Sequence, residues 1–155
     1  MKIRIDLDET VKEDEVIIRC PKLTDKIQRI ERMISDLSGK GQDLILYRDD
    51  KEFYVSVDTI LFFETESESV YAHTKEAVFR TTYRLYELQK LLPESFMRVS
   101  KSTILNVRQI YSITKNITSV SVVQFIETPK EVYVSRNYYK ALKLKLEEMH
   151  RYEKE

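Results

Sequence analysis

A mainly β chain with a few helices, of the α+β class, is what the sequence predicts. Three observations carry this. Short runs with apolar residues at alternate positions recur between residues 44 and 135, as half-buried strands require. The polar connections are short, and no regular strand–helix alternation indicates a parallel doubly wound sheet. Apolar stripes at helical spacing occur in only three places.

Lys2–Leu7 puts Ile3, Ile5 and Leu7 on one side and Lys2, Arg4 and Asp6 on the other, as in a half-buried strand. Val16–Cys20 is a second strand, expected to pair with the first across acidic Asp8–Glu15. Thr24 is suited to cap a helix with the stripe Ile27, Ile30, Ile34 and Leu37, and Asp25 favours its positive end. Ser38-Gly39-Lys40-Gly41 holds both glycines of the chain and ends that helix. It also marks a boundary. Residues 1–43 read as a small β-β-α appendage that packs on its own hairpin or on the main sheet, or else joins two copies through its helix or its paired strands; residues 44–150 read as the main domain and residues 151–155 as a polar tail.

In the main domain, Leu44–Tyr47 and Glu52–Val57 form a hairpin with Phe53, Val55 and Val57 on one face. Ile60–Glu64, Val70–Thr74 and Ala77–Thr81 are further strands. Tyr83–Leu92 is a helix facing inward through Leu85, Leu88 and Leu92, and Pro93 stops it. Met97–Ser100, Ile110–Thr114, Val120–Phe125 and Val132–Ser135 complete the strands. Asn137–Glu148 is a final helix, apolar at Leu142 and Leu146, with Met149 just beyond.

With 155 residues, 42% hydrophobic and 34% charged, the composition is that of a soluble globular protein. No apolar run approaches the roughly 20 residues that span a bilayer, and no signal-peptide h-region opens the chain. A lone Cys20 cannot close an internal disulfide, so the reducing cytoplasm is the expected compartment. Cys20 itself reads as a small buried residue on a strand.

Net charge is zero but segregated. Arg48–Glu76 carries −5, Arg80–Lys115 carries +5 and Lys130–Lys145 carries +4. Such segregation can create a cationic face on a neutral protein. Three polar clusters lie where recognition residues tend to sit, at loops and strand ends. These are Glu66-Ser-Glu-Ser69, Arg98-Val-Ser-Lys-Ser102 and Ser135-Arg-Asn-Tyr-Tyr-Lys140. Arg136 and Asn137 suit the two-pronged hydrogen bonds that read guanine and adenine. Lys101, Lys140 and Lys143 suit phosphates, as does the start of the last helix. Tyr138 and Tyr139 offer aromatic faces and hydroxyls. For catalysis there is little: two histidines, no metal-ligand spacing, no nucleophile elbow and no phosphate loop. His73 with Glu64, Glu66 and Glu68 is the one candidate, and a solvated acidic turn explains it more simply.

From Leu44 to Met149 the order of motifs resembles the LytTR family of bacterial DNA-binding domains. The resemblance rests on Leu46-Tyr-Arg, Phe53-Tyr-Val-Ser-Val57, Asp58-Thr-Ile-Leu-Phe-Phe-Glu64, Val70-Tyr-Ala-His-Thr74, Leu91-Pro-Glu-Ser-Phe-Met-Arg98, Ser100-Lys-Ser-Thr-Ile-Leu-Asn106 and Tyr133-Val-Ser-Arg-Asn137. It implies an elongated fold that inserts loops into successive major grooves and binds direct-repeat promoter elements as a pair of molecules. Base contacts would fall within Glu66–Ser69, at Lys101 and at Arg136. Arg98 would hold phosphate or brace its loop, and Asn106 would cap the turn that follows. The expected DNA-binding set is Ser67, Glu68, Ser69, Arg98, Ser100, Lys101, Ser102, Arg136, Asn137, Tyr139 and Lys140. Glu66 and Glu68 depart from more basic family versions, although a carboxylate can accept from cytosine N4.

About 43 residues precede the match, too few for an α/β receiver domain. The expectation is therefore a stand-alone, response-regulator-like transcription factor without enzyme activity, cofactor, metal or small-molecule substrate. Double-stranded DNA, a second copy on DNA and a small membrane-protein regulator are the expected partners. The rival is a protein-interaction module, an anti-activator held by a membrane protein, with a vestigial DNA face.

Overall fold

The computed structural model describes residues 1–12, 14–37, 42–116 and 120–153. Its helices are α1 (Asp25–Leu37), α2 (Leu85–Leu91) and α3 (Arg136–Glu153). The strands are β1 (Asp43–Arg48), β2 (Lys51–Ser56), β3 (Phe62–Glu66), β4 (Ser69–His73), β5 (Val78–Thr81), β6 (Phe96–Arg98), β7 (Thr103–Asn106), β8 (Ile110–Thr114), β9 (Ser121–Phe125) and β10 (Glu131–Val134). Seven strands form one antiparallel sheet in the order β2-β1-β5-β4-β3-β7-β6, and three form a second, β10-β9-β8.

The β1–β2 hairpin illustrates local control. Asp49 and Asp50 both hold positive φ, 51° and 60°, as a two-residue hairpin turn requires. The register then pairs Leu44 with Val55 and Leu46 with Phe53 on the inner face, and Ile45 with Tyr54 on the outer. On α2, the Glu87 carboxylate accepts the free Arg84 N–H at 3.1 Å, and Pro93 follows its end.

Two cores flank the large sheet. One gathers Leu46, Phe63, Ala72, Ile104 and the inner residues of α2. The other gathers Phe62, Leu105, Val123, Phe125, Val134 and Leu142, and so includes the small sheet and α3. Neighbouring residues of β3 and β7 therefore point into opposite cores. β7 was not expected from the sequence. Its residues Thr103, Ile104, Leu105 and Asn106 are all buried, so no apolar–polar alternation marks it. Asn106 caps the next turn, as anticipated: its side-chain oxygen accepts from Arg108 N at 3.2 Å and its amide donates to Ile60 O at 3.1 Å.

The appendage differs from expectation. Thr24 does cap α1, its hydroxyl accepting from Ile27 N at 3.3 Å. Lys2–Leu7 and Val16–Cys20, however, form no strands, and Cys20 is exposed rather than buried. Alternation alone does not make a strand; a pairing edge is also needed. The Ser38–Gly41 boundary lies outside the described residues. α3 runs beyond the expected end, through residues assigned to the polar tail.

Candidate nucleic-acid interface

The three polar clusters come from distant parts of the chain, and two backbone hydrogen bonds bring them side by side. β3 pairs antiparallel with β7, Glu64 opposite Thr103. The β3–β4 turn therefore projects from the same end of the sheet as the β6–β7 loop. Thr65 N donates to Ser102 O at 2.8 Å, tying the first cluster to the second. Ser135 N donates to Val99 O at 2.9 Å, tying the second to the third. Val99 is fully buried, so this loop is anchored in the second core while its tip stays in solvent.

Within the first cluster, Ser67 and Glu68 are exposed at the turn and Ser69 is half-buried at the start of β4. Ser67 holds φ at 56°, a left-handed conformation that glycine adopts more readily. Burial raises the pKa of Glu64, and the nearby Glu66 carboxylate adds to the shift.

In the second cluster, Arg98 is half-buried and engaged. Its Nε donates to Ser100 O at 3.1 Å, its Nη1 to Gln89 Oε1 at 3.1 Å, and its Nη2 to Lys101 O. The guanidinium thus braces the loop from beneath. Ser100 Oγ accepts from Ser102 N at 3.2 Å and sits 3.3 Å from Ser102 Oγ, which tightens the turn further. Lys101 is carried outward on that support, exposed. Gln89 went unnoticed in the sequence because nothing local links it to Arg98.

The third cluster divides. Arg136, Asn137 and Lys140 are exposed on the first turns of α3. Tyr138 and Tyr139 are half-buried against the second core, and Lys115 Nζ lies 5.2 Å from the centre of the Tyr139 ring. Part of each ring packs on that core, and the remainder stays in solvent. Lys143 lines a groove between β8 and α3 with Tyr111, Glu147 and His150.

His73 belongs to the scaffold. It stacks on Phe62 with centroids 4.2 Å apart, and its Nδ1 is buried without a hydrogen-bond partner among the described residues. Burial, reinforced by Lys130, pushes its pKa down to about 4. The imidazole is then neutral near pH 7, and its 3.9 Å approach to Glu64 is no ion pair there. Because the folded pKa lies below the unfolded value of 6.5, the unfolded state binds more protons between the two. Stability should therefore fall as pH drops from 6.5 towards about 4. In His73→Phe that part of the pH dependence should flatten, which urea titrations at several pH values would check.

Two loops and a helix start carried on a β scaffold define the class of fold, in which, among the described residues, no two helices are joined by a short turn. The family model of the LytTr DNA-binding domain matches residues 50–147. This chain belongs to that family and is a DNA-binding protein of the transcription-regulator class. Two relatives are uncharacterized HTH-type transcriptional regulators of Staphylococcus aureus, from strains NCTC 8325 / PS 47 and COL. Each is 30% identical over 146 residues, covering 94% of this chain and 98% of its own. That similarity extends well ahead of residue 50. A solved LytTr DNA-binding domain from Bacillus cereus superposes with a TM-score of 0.62 at 25% identity, over 66% of this chain and 94% of that one.

Proposed function

We propose that this protein is a cytoplasmic, sequence-specific transcription regulator that reads direct-repeat promoter elements in the major groove of double-stranded DNA. Lys101 and Arg136 are its principal base-reading side chains, and two molecules occupy adjacent repeats. The observation that carries the reading is that two loops and the start of α3 lie side by side, tied by the Thr65–Ser102 and Ser135–Val99 hydrogen bonds. Lys101, Arg136 and Lys140, all exposed, supply the charge that phosphates and guanine edges require. Asn137 on the same turn suits adenine, and Lys140 suits phosphate. Exposed Glu68 suits a cytosine amino group, with Ser67 and Ser69 beside it.

Binding to the promoter of its own gene should weaken steeply as salt rises, because each neutralised phosphate releases counterions. Flat affinity between low and physiological salt would remove this reading. Arg136→Ala should cost about 1–3 kcal/mol on the cognate site and relax the preference at one base pair. An equal loss on scrambled DNA would instead make Arg136 a phosphate contact. Lys101→Ala poses the same question at a second position.

A further inference from the structure

The N-terminal arm is strand-patterned and pairs with no strand among the described residues. Ile3, Ile5 and Leu7 are 87%, 81% and 94% exposed, and none of the described residues before Leu37 belongs to either core. A turn closes the arm directly after Asp8: Val11 N donates to Asp8 O at 3.2 Å, and the Asp8 carboxylate accepts from Thr10 N at 2.9 Å. Arg4 Nε reaches Asp6 at 2.7 Å, so these two side chains share one face, opposite the apolar one. An unpaired, alternating segment of this kind is a template for strand addition.

We propose that residues 2–8 pair antiparallel, centred on Ile5, with the same residues of a second copy of this chain. The charge pattern selects that occupant and that register. Centred on Ile5, the pairing sets Lys2 opposite Asp8, Arg4 opposite Asp6, Ile3 opposite Leu7 and Ile5 opposite itself. Every charge meets its opposite and every apolar residue meets another. Centring on Arg4 or on Asp6 instead places like charges face to face, which destabilises a strand pair. A slip by one residue sets Ile3 against an aspartate, and a parallel in-register pair sets every charge against itself. The sequence is thus self-complementary in the sense that a twofold interface demands, where residue i meets j and j meets i. The contact is independent of the DNA reading, since it forms in solution. Its twofold symmetry need not extend to the DNA-binding domains.

Disulfide trapping in the full chain tests the register. Ile5→Cys in a Cys20→Ser background should link two chains efficiently under mild oxidation, because residues opposite themselves fall within bridging distance. Ile3→Cys in the same background should link poorly, its neighbour being Leu7. Light scattering supplies the second arm. Arg4→Asp should lose the dimer at concentrations where the parent holds it, and Arg4→Asp with Asp6→Arg should regain it. A parent that is monomeric at every concentration overturns the proposal. So does equal trapping at positions 3 and 5, or failure of the charge-swapped double variant to recover.

Discussion

Phe63→Ala should lower folding stability by about 3–5 kcal/mol, a large share of the roughly 5–15 kcal/mol that holds a domain together. Phe63 is fully buried, pairs across β3–β4 with Ala72 and across β3–β7 with Ile104, and meets the Phe96 ring at 5.9 Å. β3 is covered on both faces, so the space left by the ring has no solvent route to relax into. Urea unfolding should show a lower midpoint with an unchanged slope. Tyr54→Ala, on the exposed face of β2, should stay within about 0.5 kcal/mol of the parent. Should Phe63→Ala not fold at all, Phe63→Leu would report the same packing more gently. A loss below about 1 kcal/mol for Phe63→Ala would mean that the first core does not close over this strand.

Arg98→Ala should weaken DNA binding by about 10- to 100-fold, some 1.4–2.7 kcal/mol, without changing the number of phosphates contacted. The guanidinium is tied to Ser100, Lys101 and Gln89, and hydrogen bonds from a charged group contribute about 1.5–3 kcal/mol each. Loss of the brace frees the loop that carries Lys101, so binding must then order it. The salt dependence separates this from a phosphate contact, whose removal would reduce the slope by about one. Arg98→Lys keeps the charge but loses the planar fork, and should behave like Arg98→Ala. Rescue by lysine together with a shallower slope in Arg98→Ala would instead move Arg98 into direct contact with DNA.

Much of the fold was legible because one face of most strands is buried and the other wet. Leu44 and Leu46 alternate with solvated neighbours, and the Asp49-Asp50 turn fixes the register of that hairpin. Where both faces are covered the alternation vanishes, which is why β7 escaped notice. Where neither face is covered, as at Lys2–Leu7, the alternation was present without the strand. That Lys101, Arg136 and Lys140 stand at loop tips and a helix start, where they are exposed, was likewise readable. Which of the two roles open to Arg98 is built, and that Tyr138 and Tyr139 pack partly on the second core, were not, since a guanidinium or a ring looks the same in sequence whether it faces solvent or a core.

The sequence by itself determined the class of fold, most strand positions, the capping of α1 and the three polar clusters. These depend on periodicity and turn chemistry, which act over a few residues. Only the tertiary structure decided that the clusters meet. That outcome rests on pairing Thr65 with Ser102 and Ser135 with Val99, contacts between residues about 36 apart in sequence. Such contacts form when two cores close around β3 and β7, and no local pattern records which distant strand will lie alongside.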